Sequence, residues 1–377
     1  MKKFLQSVNW VGAPFLILTP IAAAITSYYY LKTEGFQWQI WTLAAIFYTL
    51  TAGSITAGYH RLFAHKSFEA RTWLRWFWAL FGAAAFQNSI LIWAREHRMH
   101  HRFVDTDNDP YSIKKGFWFA HMGWMLKHNP TLPAPEPYGR DLASDPVVQI
   151  QHKYYIPIAI LMCFGLPTLL GYFLGSALGG FAIAGLVRVV ALHHATFCIN
   201  SWAHCWGRQT YTDENTARDS FLMAVTTFGE GYHNFHHIFA SDYRNGVRWY
   251  HWDPTKWTIR IASVVGGAHS LRRTPWTAIM KRQLEMEEKN LKSRLNSRWQ
   301  LQFQVQIDGL KVRIESAHAR FEQLREEYKC LASAYAEASQ ERVQELKYQI
   351  RVAKIEMRMA LQHWRAYNSF LLAAVPA

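Results

Sequence analysis

The chain reads as an all-α integral membrane protein: four transmembrane helices in two hairpins, with a cytoplasmic helical cap that holds a two-metal site. Three observations predict this. Four apolar runs are long enough to cross a bilayer. The linkers inside each pair, residues 32–39 and 175–177, are short, so each pair returns to the side it came from. Three histidine-dense clusters lie at or beyond the ends of apolar runs: His60 with His65, His97-Arg98-Met99-His100-His101, and His233-Asn234-Phe235-His236-His237.

The first two spans cover about residues 10–31 and 40–58. Lys2 and Lys3 before them, and Arg61, Lys66 and Arg71 after them, place the shared end of this hairpin in the cytoplasm. The third and fourth spans cover about 155–174 and 178–199, and Gly175, Gly179 and Gly185 are expected to let that pair pack closely. A fifth apolar stretch, residues 73–93, decides the topology. If it crossed, the second histidine cluster would lie on the face opposite the first. We therefore expect an interfacial or cap-buried helix, a reading that its tryptophans, Arg75 and Gln87-Asn88 also favour. Residues 1–278 form the membrane-embedded domain, and 279–377 a charged, coiled-coil-like extension. In the extension Phe321, Leu324, Tyr328, Leu331 and Tyr335 step by three and four, and Val343, Leu346 and Ile350 continue. Phe303, Val305 and Ile307 alternate up to Gly309, and Val312 and Ile314 alternate after it; two helices broken at Gly309 are expected.

Mean hydropathy is only −0.13, because an apolar domain is averaged with a polar one. The net charge of +14 would suit a nucleic-acid binder, but the basic residues flank apolar runs. Anionic lipid or a phosphate-bearing substrate explains the charge better, and no nucleic acid is expected as a partner. Cys163, Cys198, Cys205 and Cys330 form no CxxC and read as thiols in a reducing compartment. The Met1-Lys2-Lys3 start lacks a small-residue cleavage site, so the first apolar run is expected to be retained.

Residues three and four apart share a helix face, so each HxxHH can aim several imidazoles at one place. Three such clusters could converge on more than one metal ion in a nitrogen-dominated ligand set, which points to oxygen chemistry rather than hydrolysis. His204 and Asn200, one turn apart at the end of the fourth span, can join from below. Glu230, Asp105 and Asp109 could orient the rings through their second nitrogens. His193 and His194 read as packing or tunnel-wall residues. His121, His128, His152, His251, His269, His318 and His363 have no partner at ligand spacing.

With these elements the chain resembles the membrane-bound acyl-CoA desaturases of the stearoyl-CoA (delta-9) type, in a bacterial form with a helical extension. The resemblance rests on Gly58-Tyr59-His60-Arg61-Leu62, Ala85-Phe86-Gln87-Asn88, Trp93 through His101, Gly123-Trp124, Asn200 through His204 and Gly229 through His237. It covers nearly everything from the second span to about residue 250. It implies two iron ions as cofactor, with O2 as co-substrate. One iron would take His60, His65, His97, His101 and His236. The other would take His100, His204, His233 and His237, with Asn200 reaching it through a water. It also implies a cis double bond, delta-9, in a saturated C16–C18 acyl chain, and residence in the bacterial inner membrane with the histidines facing the cytoplasm.

Gln87, Trp93 and Thr196 would line the bend of an acyl tunnel. Tyr48, with Ala52 leaving room above it, would plug the tunnel end, roughly 18 Å from His60 at an α-helical rise. Asn88, Arg95, Glu96, Trp124 and Lys127 would hold the coenzyme A head group. Lys127-His128 matches the family's basic pair only weakly, which keeps an acyl-lipid substrate open. The chain carries no nucleotide fingerprint, iron–sulfur cysteine set or haem motif. Electrons are therefore expected from a separate ferredoxin- or flavin-type protein, and the extension could dock it, strap onto the membrane or form a homo-oligomer. A membrane di-iron hydroxylase of alkanes or lipids is the rival enzyme. A histidine-rich metal transporter is the rival of another class.

Overall fold

The computed structural model describes residues 8–10, 12–127, 129–294, 297–333 and 340–374. His128, Tyr335 and the Lys2-Lys3 start lie outside them. The chain resolves into two compact units, Met1–Pro275 and Trp276–Ala377.

Four helices of the first unit are long and apolar enough to cross a membrane: Gly12–Thr33, Trp38–Ala64, Tyr155–Phe173 and Ala177–His204. The second and fourth run further than their apolar cores suggest, because each continues into its metal-side histidines. The middle of the fourth span, Gly180–Val187, touches all three other spans. Of the three expected glycines, Gly185 does face the third span, where its Cβ would sit 3.3 Å from Phe164 and 3.4 Å from the Cys163 oxygen. The third and fourth spans also approach closely at Gly171 and Gly180, where a Cβ on Gly171 would sit 2.6 Å from the Gly180 Cα. Gly179 instead faces Tyr30 of the first span and Ile40 of the second, and Gly175 occupies the turn at φ +96°.

The stretch at 73–93 does not form one helix. Thr72–Ala83 is helical and packs Leu74, Trp78 and Ala79 inward against the end of the second span. The chain then breaks, with Phe86 and Asn88 in the left-handed region at φ 54° and 71°. A new helix, Ile90–Phe103, starts at Ser89, whose hydroxyl accepts from the Ile92 N–H. Ser89 is a better helix cap than interior residue, which gives the break a local cause. The carbonyls freed by the break are satisfied from the fourth span: buried Arg188 donates to the Ala84 oxygen (2.7 Å) and His193 to the Ala85 oxygen (2.8 Å). No described helix between the first and second histidine clusters is long and apolar enough to cross a membrane.

After the fourth span come the short helices Phe221–Thr226, His233–Ile238 and Pro254–Val264. A two-residue antiparallel pair, Glu69–Ala70 with Ala268–His269, ties the end of this unit to the segment that follows the second span.

The second unit contains helices Trp276–Arg294, Ser297–Ser333 and Gln340–Ala374, around a core of Met280, Leu291, Ile307, Ile314, Met357, Trp364 and Leu371. The expected break at Gly309 is absent. Gly309 is exposed with open space around it, so it costs the helix only about 1 kcal/mol. The alternation around it conceals a helical stripe: Ile307 and Ile314 are buried, while Val305 and Val312 face outward at 77% and 59% exposure.

Candidate metal centre and cavity

The HxxxxH spacing of His60 and His65 is wrong for an α-helix, where residues five apart diverge by about 140°. The structure resolves this with a π-helical end to the second span, Ser54–Ala64. The His65 N–H donates to the His60 carbonyl, five residues back, at 3.0 Å. That wider turn brings the two rings to 4.8 Å between centroids. On Ile90–Phe103, His97 and His101 share a face, and His100 turns toward the neighbouring group. On His233–Ile238, His233 and His237 pair in the same way and His236 faces the other group.

Two sets of convergent nitrogens result. His60, His65, His97, His101 and His236 form one, and His100, His204, His233 and His237 the other; within each set the ligand atoms lie within 4.8 Å of one another. The sets abut, with His101 and His237 stacked at 4.4 Å. In the first, Nε2 to Nε2 distances are 2.9 Å for His60–His236, 2.8 Å for His65–His97 and 3.0 Å for His101–His236. In the second they are 3.3 Å for His100–His237, 3.0 Å for His204–His233 and 3.1 Å for His233–His237. Two nitrogens each ~2.1 Å from one ion and at right angles to it lie ~3.0 Å apart, so the spacing fits metal ligation.

The second ring nitrogens support the same fit. His60 Nδ1 lies 2.8 Å from Glu230 Oε2, and His100 Nδ1 lies 3.0 Å from Asp109 Oδ1. His204 Nδ1 meets the Thr216 hydroxyl at 2.8 Å, and that hydroxyl donates to Asp105 at 2.7 Å. A neutral ring that donates its Nδ1–H to an oxygen points a bare Nε2 lone pair into the group, which is the state that binds metal. Burial, then the proximity of the other rings, holds His65, His97, His101, His233, His236 and His237 well below the usual imidazole range. Neutral imidazoles are therefore ready near pH 7 without prior loss of a proton.

Some residues that matter here were missed from the sequence. Arg61, 1% exposed, donates to Glu230 (2.9 Å), to Asp253 (3.0 Å) and to the Tyr243 carbonyl (2.9 Å). Glu230 thus joins the His60 ring to a buried ion cluster. Burial alone would raise its carboxyl, but His60 and Arg61 outweigh that and lower it. Tyr111 stacks on His100 at 4.4 Å. No local spacing announces either role, since the partners are distant in sequence or of a common type.

A cavity of about 1340 Å³ reaches both groups, with His60, His97, His100 and His233 in its wall together with Asn200. Tyr48, Ala52, Gln87, Asn88, Trp93, Glu96, Trp124, Lys127 and Thr196 also line it. Arg95 does not; its stem lies against Gly139. Gln87 donates to Thr196 at 3.0 Å, and Trp93 stacks on His97 at 4.8 Å. Burial pushes the Glu96 carboxyl up to about 7. The π turns carry more residues per turn, so Tyr48 lies nearer His60 than α-helical spacing suggests. The remaining described histidines of this unit pair elsewhere: His121 with His194 and Ser201, His152 with Ser89, His251 with the Arg248 N–H, and His269 with Glu69.

The chain matches the fatty acid desaturase family over residues 36–263. It is 44% identical to a probable acyl-CoA desaturase of Schizosaccharomyces pombe over 77% of this chain and 60% of that one. A delta(9)-fatty-acid desaturase of Caenorhabditis elegans is 38% identical, over 69% of this chain and 78% of its own length. An sn-1 stearoyl-lipid 9-desaturase of Anabaena variabilis is 36% identical, over 70% and 94%. The chain thus spans about 60% of the fission-yeast relative's length.

Proposed function

The chain belongs to the fatty acid desaturase family, and from that premise we propose that it is a fatty acyl-CoA desaturase that inserts a cis double bond, delta-9, into a saturated acyl chain. One observation carries the reading: two histidine sets share a wall of one large, largely apolar cavity. Two iron ions, held by the nine imidazoles, would supply with O2 the oxidising power to take two hydrogens from an unactivated methylene pair. The overall balance is one saturated acyl chain, one O2, two electrons and two protons giving one alkene and two waters. The electrons come from a separate protein of ferredoxin or flavin type.

The side chains of this unit bind and orient. Glu230, Asp109 and the Thr216–Asp105 pair fix three rings and their tautomers. Gln87 and Thr196 set the bend beside the metal wall, and Trp93 closes it against water. Tyr48, whose hydroxyl meets the Thr226 carbonyl at 3.4 Å, closes the deep end and limits chain length. Asn88, Glu96, Trp124 and Lys127 form the head-group end. Asn200 reaches the four-histidine set through a water. The cap faces the cytoplasm, in a bacterial inner membrane.

An acyl-lipid substrate is the second reading, favoured by the 94% coverage of the Anabaena relative and by the absence of Arg95 from the cavity wall. The test is expression in a desaturase-deficient host, with gas chromatography of its lipids and His100→Ala as control. A new cis monoene is expected from the native chain alone; a hydroxylated product would replace desaturation with hydroxylation. Purified protein given acyl-CoA or lipid-bound acyl chains then separates the two substrate classes.

A further inference from the structure

We propose that the last helix, Gln340–Ala374, is a docking face for an anionic lipid surface. At about 100° per residue, its side chains sort into three stripes. The core stripe is Leu346, Ala353, Met357, Trp364 and Leu371, all buried. A second stripe holds Lys347, Arg351, Lys354, Arg358 and Arg365, all exposed, within roughly 60° of arc and about 27 Å of helix length. Beside it runs an exposed apolar stripe of Tyr348 (66%), Ile355 (49%), Met359 (51%) and Phe370 (60%).

The two outer stripes cover the side that this unit's own core leaves open. Between residues 346 and 374 the helix carries one carboxylate, Glu356; it lies beyond the apolar stripe and is paired with Arg320 at 3.5 Å. The basic stripe therefore meets no acid of its own helix. Lys347 instead lies over the Tyr328 ring, 5.9 Å from its centroid.

Cations beside a continuous apolar strip match the boundary of an anionic bilayer, where headgroup phosphates meet acyl chains. Long lysine and arginine stems can reach phosphate while the neighbouring apolar groups sink. Residue 276 follows directly on a unit with four candidate membrane spans, so such a surface is always close in chain terms. The extension also lies wholly outside the region that matches the desaturase family, so its surface is free of the constraints of the metal centre.

The test uses the full chain in single-copy nanodiscs, with Ile355→Cys carrying an environment-sensitive dye and the exposed Cys330→Ser. The same chain with native Ile355 gives the background from the other thiols. Dye emission should shift to the blue and rise about twofold in discs containing phosphatidylglycerol, and stay unchanged in phosphatidylcholine discs. Arg351→Glu with Arg358→Glu should abolish the response, as should high salt, which screens the contact. Metal content of each variant checks that the membrane unit is intact. Emission that is identical in the two lipids, or insensitive to the charge reversals, would overturn the proposal. A response that needs a second chain per disc, or an added acidic protein, would equally overturn it in favour of a protein partner.

Discussion

The two histidine sets look alike in ligand type but differ in what holds them. The five-ring set leans on Glu230, which is tied through Arg61 to Asp253 and so to the frame of the cap. The four-ring set leans on Asp109 and on the Thr216–Asp105 pair, which are local braces. One set is built into the structural ion cluster; the other is held by side chains whose further hydrogen bonds go only to nearby backbone N–H groups, at Asp105, Tyr111 and Thr216. Damage near the first should therefore cost the fold, and damage near the second should cost only metal and activity.

The sharpest way to break this contrast is Arg61→Ala. It strands two buried carboxylates, and such a loss costs about 3–5 kcal/mol. The variant should accumulate poorly and unfold early in a thermal scan of detergent-solubilised protein; a native melting temperature would remove the distinction. His100→Ala should leave the melting temperature close to native but abolish desaturation and lower the metal count, read by elemental analysis. Asp109→Asn should cost roughly 10–100-fold in metal affinity or activity, with the protein still folded.

Acid sharpens the comparison further. Six rings are held neutral by burial, four of them in the five-ring set (His65, His97, His101, His236) and two in the other (His233, His237). Unfolded, each would take a proton near pH 6.5, while the folded ring takes it only at lower pH. The unfolded state then binds more protons, so stability falls as pH drops below about 6.5. Metal-stripped protein should melt lower at pH 5.5 than at pH 7.5. The smallest effect on stability is expected from Tyr48→Ala, which should shift products to longer chains; unchanged chain-length selectivity would remove Tyr48 from the tunnel end.

The ligands were readable because metal binding forces several residues of one uncommon type into short spacings, as in His97–His101 and His233–His237. The spans were readable from length and apolarity. What escaped depends on partners remote in sequence. Arg188 and His193 stabilise a chain break more than a hundred residues earlier, so residues 73–93 gave no sign of it beyond Ser89. Gly309 misled for the opposite reason: an exposed glycine is tolerated once a long helix has a core to pack on. Arg61 stood inside a matching motif, yet its acidic partners are 169 and 192 residues away.

The π-helical end of the second span has a consequence for change over time. His60 and His65 meet because five residues fill one widened turn. That turn is a matter of count, since the four residues between the histidines pack inward and coordinate nothing. Removing or adding one residue there would rotate every downstream side chain about the helix axis, and the loop at Lys66–Phe68 is too short to absorb the error. Arg61 apart, this segment should thus accept replacement of side chains far more readily than any insertion or deletion.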